Sequence, residues 1–211
     1  MDYEQYIAGK SKTSASPGIE GATLPDWLFP HQKALTAWAL RKGRAAVFAD
    51  TGLGKTGIEL PWAAAVASAT GGRVLILAPL AVAKQIEREG ERFGIACPCV
   101  REDSGAPVQV ANYEMLHAFD SSRFAGIALD ESGILKSFDG ATRNALIEAF
   151  GKTPYRLCAT ATPAPNDFTE LGNHSEFLGI KSRAEMLAEF FVHDDNGPSR
   201  YASHSGNEHL S

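Results

Sequence analysis

A glycine-rich segment with a lysine and a threonine is the part of the sequence best suited to phosphate chemistry. It reads Ala49-Asp50-Thr51-Gly52-Leu53-Gly54-Lys55-Thr56, between a short apolar run and residues with helical spacing. Glycines let such a turn wrap a phosphate with backbone N–H groups, and the following helix presents its positive N-terminal end to the same anion. Lys55 would reach the β- and γ-phosphates, and the Thr56 hydroxyl would ligate Mg²⁺.

This phosphate turn predicts a binding site for ATP and Mg²⁺. The residues expected to contact the nucleotide are Thr51, Gly52, Leu53, Gly54, Lys55 and Thr56. Ala49 stands where the motif has its first glycine, and alanine is small enough to replace it. The competing interpretation is a glycine-rich turn in which Lys55 and Thr56 occur by chance.

Two adjacent carboxylates follow a second apolar run. Asp130 and Glu131 come directly after residues 127–129. Paired acids at the end of a buried strand are costly unless they meet a cation, and ligands of a parallel sheet bind at that edge. Asp130 would therefore hold Mg²⁺, and Glu131 would orient and deprotonate an attacking water. The alternative is an acidic turn that merely closes a strand.

A third apolar run ends in hydroxyl-bearing residues. Residues 156–159 lead into Thr160-Ala161-Thr162-Pro163. Threonine hydroxyls at this position can hydrogen-bond a carboxylate or a phosphate. Taken alone, the segment favours the simpler interpretation of a strand that ends at a Thr-Pro pair.

Strand and helix patterns alternate through most of the chain. Strands are expected at residues 45–49, 73–78, 108–111, 126–129 and 155–159. Helices are expected near residues 30–40, 55–69, 81–93, 113–119, 141–150 and 168–178. Pro61 should kink or break the second of these helices. The alternation predicts an α/β fold, with a parallel sheet covered by helices on both faces.

The composition excludes several classes of protein. With 211 residues, 44% of them hydrophobic and 21% charged, the chain should not be disordered as a whole. It has no apolar run of transmembrane length and no secretory signal, so no membrane association is expected. A net charge of −5 excludes a strongly basic nucleic-acid coat. The sparse cysteines, Cys97, Cys99 and Cys158, favour a reducing, cytoplasmic location.

The chain divides into three parts. Residues 1–23 are predicted to be a flexible lead-in, residues 24–178 a single globular domain, and residues 179–211 a short extension. The polar tail from His193 onward predicts loop or disorder and shows no strand pattern.

Together, the motifs of residues 24–178 resemble those of the first RecA-like lobe of superfamily 2 helicases and translocases. The phosphate turn resembles motif I. Asp130-Glu131-Ser132-Gly133 stands in the place of the DEAD/DEAH box, and Thr160-Ala161-Thr162 in that of motif III. Leu28-Phe29-Pro30-His31-Gln32 resembles the adenine-recognition segment, with Gln32 as its glutamine.

Further segments resemble the Swi/Snf-type branch of this family. Ala78-Pro79-Leu80 is similar to motif Ia, which contacts the nucleic-acid backbone in the family, and Asn112-Tyr113-Glu114 is similar to the Thr-Tyr-Glu of the branch. Gly133-Ile134-Leu135-Lys136 also resembles this branch. Ala161-Thr162-Pro163-Ala164-Pro165-Asn166-Asp167, with Glu170-Leu171-Gly172, resembles helicase-like proteins encoded by bacteriophages and prophages.

The resemblance implies the ATP-binding lobe of an ATP-dependent DNA helicase or translocase, in a bacterial or phage-infected cytoplasm. MgATP hydrolysis would be coupled to movement along nucleic acid. The implied catalytic residues are Lys55, Asp130 and Glu131, and the implied metal ligands are Thr56 and Asp130. Gln32 would contact the nucleotide.

The resemblance also implies two partners. Backbone contacts with DNA are expected near residues 79–84, from Pro79 to Lys84, and near residues 112–114, from Asn112 to Glu114. The family's second RecA-like lobe supplies arginine fingers, worth about 10³–10⁵ in rate in related systems. Residues 179–211 carry no such pattern, so a truncated product or a second lobe in another chain is expected.

One departure from the family and two alternatives remain open. The acidic box lacks the histidine or aspartate of its fourth position, where Gly133 stands, so coupling to motif III would run through Ser132 or be weak. One alternative is a nucleotide- or DNA-binding module without autonomous turnover. The other is a small-molecule P-loop kinase, which needs an arginine-rich lid that residues 138–151 do not supply.

Overall fold

Five parallel strands form the central sheet of the chain, whose computed structural model describes residues 18–136, 140–164, 167–193 and 201–203. The strands are β1 (Arg44–Phe48), β2 (Arg73–Ala78), β3 (Val108–Asn112), β4 (Phe124–Asp130) and β5 (Tyr155–Thr160). Their order in the sheet is β1-β5-β4-β2-β3, and every neighbouring pair is parallel. Each predicted strand is present, within two residues of its expected bounds.

Helices connect the strands. The α-helices are α1 (Pro30–Lys42), α2 (Thr56–Thr70), α3 (Leu80–Phe93), α4 (Ala141–Phe150), α5 (Leu171–Leu178) and α6 (Arg183–Phe190). Short 3₁₀ helices lie at Tyr113–Ala118, Ser121–Arg123, Ser132–Lys136 and Phe168–Glu170. The predicted helix at 113–119 and the first three residues of the one predicted at 168–178 thus adopt the tighter 3₁₀ form, which suits short connections.

The sheet separates two hydrophobic cores. Strand β2 shows this directly, because Val74 and Ile76 face one core while Leu75 and Leu77 face the other. Helices α1 to α3 cover the first face, and α4, α5 and the 3₁₀ segments cover the second. Burial on both faces explains why the strands read as continuous apolar runs, and it confirms the predicted α/β fold.

Pro61 does not break its helix, which excludes one of the two outcomes expected from the sequence, a kink or a break. Helix α2 runs without interruption from Thr56 to Thr70, with Pro61 as its sixth residue. A proline removes one backbone donor from the helix, but the flanking Leu60 and Trp62 are fully buried. Their packing against the sheet outweighs the local preference, since most helix stability in proteins comes from tertiary contacts.

The prediction for the C-terminal tail is wrong in part. Tyr201–Ser203 forms a short strand, β7, which pairs antiparallel with β6 (Phe191–His193). Strands of three residues are too short to show an alternating pattern in the sequence. The rest of the predicted loop, residues 194–200 and 204–211, lies outside the described residues.

At the N-terminal side, residues 1–17 of the predicted lead-in lie outside the described residues. Ile19 already belongs to the folded part, because its N–H donates to the Leu40 carbonyl at 2.9 Å and its side chain packs on the first core. In the parts of the chain that the structure covers, no helix combines the length and the apolar character needed to cross a bilayer.

Arg156 connects the sheet to two helix ends on the second face. Its buried guanidinium donates to the carbonyls of Gly151, Thr153 and Phe177. Burial and the nearby charge of Arg44 lower the pKa of Arg156 to about 10, so the group still carries its charge at pH 7.

Replacing Arg156 with methionine should lower the free energy of unfolding by about 2–4 kcal/mol, because three carbonyls lose their donor. Urea denaturation followed by circular dichroism measures the change. Arg101→Met is the matched control, since Arg101 is exposed and should shift stability by less than about 0.5 kcal/mol. Equal stability of the two variants would contradict the assigned role.

Candidate nucleotide site

The three motif-bearing strands end side by side. Strand β5 lies between β1 and β4, with Phe48 opposite Thr160 and Asp130 opposite Ala159. The Ala49 N–H continues the ladder by donating to the Thr160 carbonyl at 3.2 Å. The phosphate turn, the acidic pair and the threonines therefore meet at one edge of the sheet, where ligands of open α/β sheets bind.

The phosphate turn connects β1 to α2 through two left-handed glycines. Gly52 has φ +87° and Gly54 has φ +70°, values that side chains rarely allow. Thr51 and Leu53 are exposed, and Thr56 is the first residue of α2. The N-terminus of a 15-residue helix thus lies directly behind a glycine turn, as anion binding requires.

Lys55 folds back across this turn. Its Nζ atom donates to the Ala49 carbonyl at 3.4 Å and lies 3.6 Å from Glu131 Oε1. The lysine thereby connects the phosphate turn to the acidic pair, although residues 55 and 131 are 76 positions apart in the sequence. Both contacts of the ammonium group are long, so an anion that enters the turn could compete for it.

Gln32 braces the phosphate turn from beneath. This buried side chain accepts a hydrogen bond from the Phe29 N–H at 3.1 Å and donates to the carbonyls of Leu53 at 3.4 Å and Gly54 at 3.2 Å. A side chain at Gly54 would clash with the Gln32 amide. The sequence predicted Gln32 as a nucleotide contact, but it did not predict the hydrogen bonds that Gln32 makes to the phosphate turn.

The acidic pair occupies two different environments. Asp130 is buried at the end of β4, and its Oδ1 atom accepts a hydrogen bond from the Glu131 N–H at 2.9 Å. The Tyr113 hydroxyl donates to the Asp130 backbone carbonyl at 2.7 Å. Burial raises the pKa of the Asp130 carboxyl, and the Glu131 charge acts in the same direction.

Glu131 has an unusual backbone. Its φ of +50° is the one positive value at a non-glycine position among the described residues. Such a left-handed conformation costs a residue with a Cβ atom about 1–2 kcal/mol. The conformation places the Glu131 side chain, which is 43% exposed, opposite Lys55. Backbone strain of this kind concentrates at functional sites.

A third carboxyl group, Glu59, was missed by the sequence analysis. It is the fourth residue of α2 and is completely buried, and its carboxyl group lies within hydrogen-bonding reach of the Asp130 carboxyl group. Burial, followed by the charge of Asp130, raises its pKa well above the ordinary value. The sequence feature that could have revealed Glu59 is an acidic residue among the apolar residues of a buried helix. A protein buries such a residue only if other interactions offset the cost of its desolvation.

The donor set at this edge fits a magnesium nucleotide. Carboxylate and hydroxyl oxygens, as in Asp130 and Thr56, are ligands that Mg²⁺ prefers. Within the described ranges, no group of three His, Cys, Asp or Glu residues is arranged to hold a metal by itself. Mg²⁺ is usually held by one or two carboxylates together with phosphate oxygens and water, so Asp130 and Thr56 would be sufficient protein ligands.

The threonine strand contributes less than its motif suggests. The buried Thr160 hydroxyl accepts a hydrogen bond from the Thr162 N–H at 3.2 Å, which closes a local turn. A side chain at Gly133 would begin 3.7 Å from Thr160 Oγ1, so the acidic box lies against this turn.

The two segments expected to contact DNA also lie at this edge of the sheet, beyond β4. Strands β2 and β3 end next to each other, with Ala78 opposite Asn112. Pro79 is the N-cap of α3, and the following Leu80 and Lys84 are exposed. The structure therefore brings the two segments together and places them at the other end of the strand order from β1.

Comparisons with known proteins identify the fold. No family model matches the chain, and no curated protein does. Among solved structures, the Sulfolobus solfataricus SWI2/SNF2 ATPase core in complex with double-stranded DNA aligns with a TM-score of 0.68 and 22% identity. That alignment covers 82% of this chain and 40% of the other.

A helicase of bacteriophage T4 is also similar. One structure of UvsW aligns with a TM-score of 0.58 and 17% identity, over 86% of this chain and 66% of that one. Another UvsW structure gives a TM-score of 0.58 and 15% identity, over 86% of this chain and 38% of that one. The chain thus has a RecA-like fold, and it spans about two fifths to two thirds of these neighbours.

Replacing Glu59 with glutamine should stabilise the protein at high pH. Because the folded-state pKa lies above the ordinary value of 4.5, wild type loses stability as the pH rises through the range between the two. The stability advantage of the variant should vanish below pH 4.5 and grow by at most about 1.4 kcal/mol per pH unit above it.

Urea denaturation at a series of pH values measures this difference. Glu91→Gln is the control, because Glu91 is an exposed residue of α3 and should show no such slope. A Glu59 variant whose advantage does not depend on pH would contradict the buried-carboxyl interpretation.

Proposed function

We propose that the chain is the ATP-binding lobe of an ATP-dependent DNA helicase or translocase. The observation that carries this proposal is the convergence of the phosphate turn and the acidic pair at neighbouring strand ends, with Lys55 3.6 Å from Glu131. A phosphate turn alone would suit many nucleotide-binding proteins. The acidic pair across the intervening strand β5, on a RecA-like fold, supports the helicase class.

Each residue of the site has a proposed role. The triphosphate binds in the turn formed by residues 51–56, where Lys55 contacts the β- and γ-phosphates and Thr56 ligates Mg²⁺. Asp130 holds the same ion, directly or through water. Glu131 accepts a proton from the attacking water, since it is the more exposed of the two acids. Gln32 contacts the adenine while it braces the turn.

The proposed DNA path runs along the strand ends of β2 and β3. One structural neighbour is described as a complex with double-stranded DNA. The segments at residues 79–84 and 112–114 are adjacent in this chain, so one strand of backbone could touch both. Because the net charge is −5, this lobe alone should bind DNA weakly and with strong salt dependence.

A second RecA-like lobe completes the proposed motor. The lobe of residues 24–178 closes one side of the nucleotide, and the described part of residues 179–211 adds only a helix and a hairpin. A further lobe, in another chain or in a longer form of this one, would supply the arginines that accelerate phosphoryl transfer. Without it, the lobe acts as a binding module with little turnover.

Lys55→Ala should weaken MgATP binding by about 10- to 100-fold, because a charge-assisted contact to the phosphates is lost. Isothermal titration calorimetry measures the affinity. Lys152→Ala is the control, since Lys152 is exposed and precedes β5 at the opposite edge of the sheet. Equal MgATP affinity of the two variants would rule out the proposed phosphate site.

Glu131→Gln should keep MgATP binding and lower DNA-stimulated hydrolysis by about 10²- to 10⁴-fold, the usual contribution of a general base. Phosphate release with and without duplex DNA measures turnover. Asp130→Asn should instead weaken the dependence of binding on Mg²⁺. Wild-type binding without turnover at saturating MgATP would favour the module without autonomous activity.

A further inference from the structure

A buried hydrogen bond joins the acidic box to a helix far along the chain. Ser132 Oγ lies 3.1 Å from His174 Nε2, and the two residues are 42 positions apart. Ser132 follows the acidic pair directly, and His174 is the fourth residue of α5. Both side chains are almost fully buried, at 0% and 2% exposure. In such surroundings a hydrogen bond is stronger, and its loss more costly, than at a surface.

The same histidine contacts the strand that leads into the phosphate turn. Its ring meets the Phe48 ring edge-on, with centroids 5.5 Å apart and planes at 84°. Phe48 is the last residue of β1 and precedes the turn by one residue. One side chain of α5 therefore touches elements adjoining both halves of the candidate nucleotide site.

Polar and apolar contacts hold helix α5 to its neighbours. Its Glu176 pairs with Arg143 of α4, and Arg156 of β5 donates to its Phe177 carbonyl. The Phe177 side chain is buried in the second core. A change in position at the acidic box would consequently be felt along the whole helix, because packed elements shift as rigid bodies.

The residue after Ser132 offers no side chain for a polar contact. Gly133 has no side chain there, although it lies against the Thr160 turn. The polar link that the box cannot supply from that position comes from Ser132 and is received by α5. Burial lowers the pKa of His174, so the ring is neutral at pH 7 and has one donor and one acceptor nitrogen.

We propose that His174 is a positioning residue that connects the nucleotide state of the acidic box to helix α5. This inference rests on the proposed function, because the signal it transmits is occupancy of the nucleotide site. Nucleotide binding rearranges the box, Ser132 carries the change to His174, and α5 follows. The elements packed on α5, which include α6, would then report on the nucleotide.

Hydrogen–deuterium exchange with a non-hydrolysable ATP analogue and Mg²⁺ tests the connection. In the wild-type chain, the analogue should slow exchange in residues 49–56 and also in residues 171–178. In His174→Leu, the first effect should persist and the second should fall by about 5- to 10-fold, the equivalent of one buried hydrogen bond. His174→Gln, which can still bond Ser132, should retain both effects.

A second variant keeps the test independent of folding defects at His174. Ser132→Ala should uncouple α5 in the same way, and the Ser132→Ala/His174→Leu double variant should behave like either single variant. Additive effects would overturn the proposal, as would undiminished α5 protection in His174→Leu or equal loss in His174→Gln. No analogue-induced protection of residues 49–56 in wild type would overturn the proposed function itself, and the connection with it.

Discussion

Burial of neighbouring carboxyl groups near the carboxyl end of β4 is the constraint on which the rest of this site depends. Asp130 and Glu59 are buried, Glu131 is half-exposed, and Lys55 forms an ion pair with Glu131. Desolvation raises the pKa of both buried acids. A folded chain keeps such a cluster only if something offsets its cost. Within the chain, Lys55 and the Glu131 N–H do part of this, and a divalent cation would do much more.

The surrounding structure holds this cluster in place from several sides. Gln32 supports the phosphate turn, and the Tyr113 hydroxyl donates to the backbone carbonyl at the end of β4. His174 hydrogen-bonds the side chain of the residue after the acidic pair. These three side chains come from α1, from the segment after β3 and from α5. Contacts from distant parts of the chain therefore position the residues of the site, as preorganised binding sites require.

The sequence predicted the sheet well because its strands are buried on both faces. The run Arg73–Ala78 shows this, since only a central parallel strand needs six nearly apolar residues in succession. Once the strands were known, the parallel topology placed residues 49–56, 130–131 and 160–162 at one edge. The contacts of Glu59 and His174 could not be predicted in this way. Glu59 and His174 each contact a residue on another element of the fold. The sequence separation between the contacting residues follows no helical or strand periodicity.

Local rules also failed where tertiary contacts outweighed them. Pro61 lies within a continuous helix, and Tyr201–Ser203 pairs as a strand although its sequence is polar and short. In the first case, complete burial of the neighbouring Leu60 and Trp62 compensates for the lost backbone bond. In the second case, pairing with β6 stabilises a strand that three residues would not form alone.

The left-handed backbone of Glu131 has a consequence for how this protein can vary. At φ +50° the fold itself would be more stable with glycine, by about 1 kcal/mol. Selection for stability alone would thus remove the very carboxylate that faces Lys55. The position is a trade-off between a relaxed backbone and a carboxylate beside Lys55, and a laboratory search for thermostable variants would tend to remove the proposed general base first.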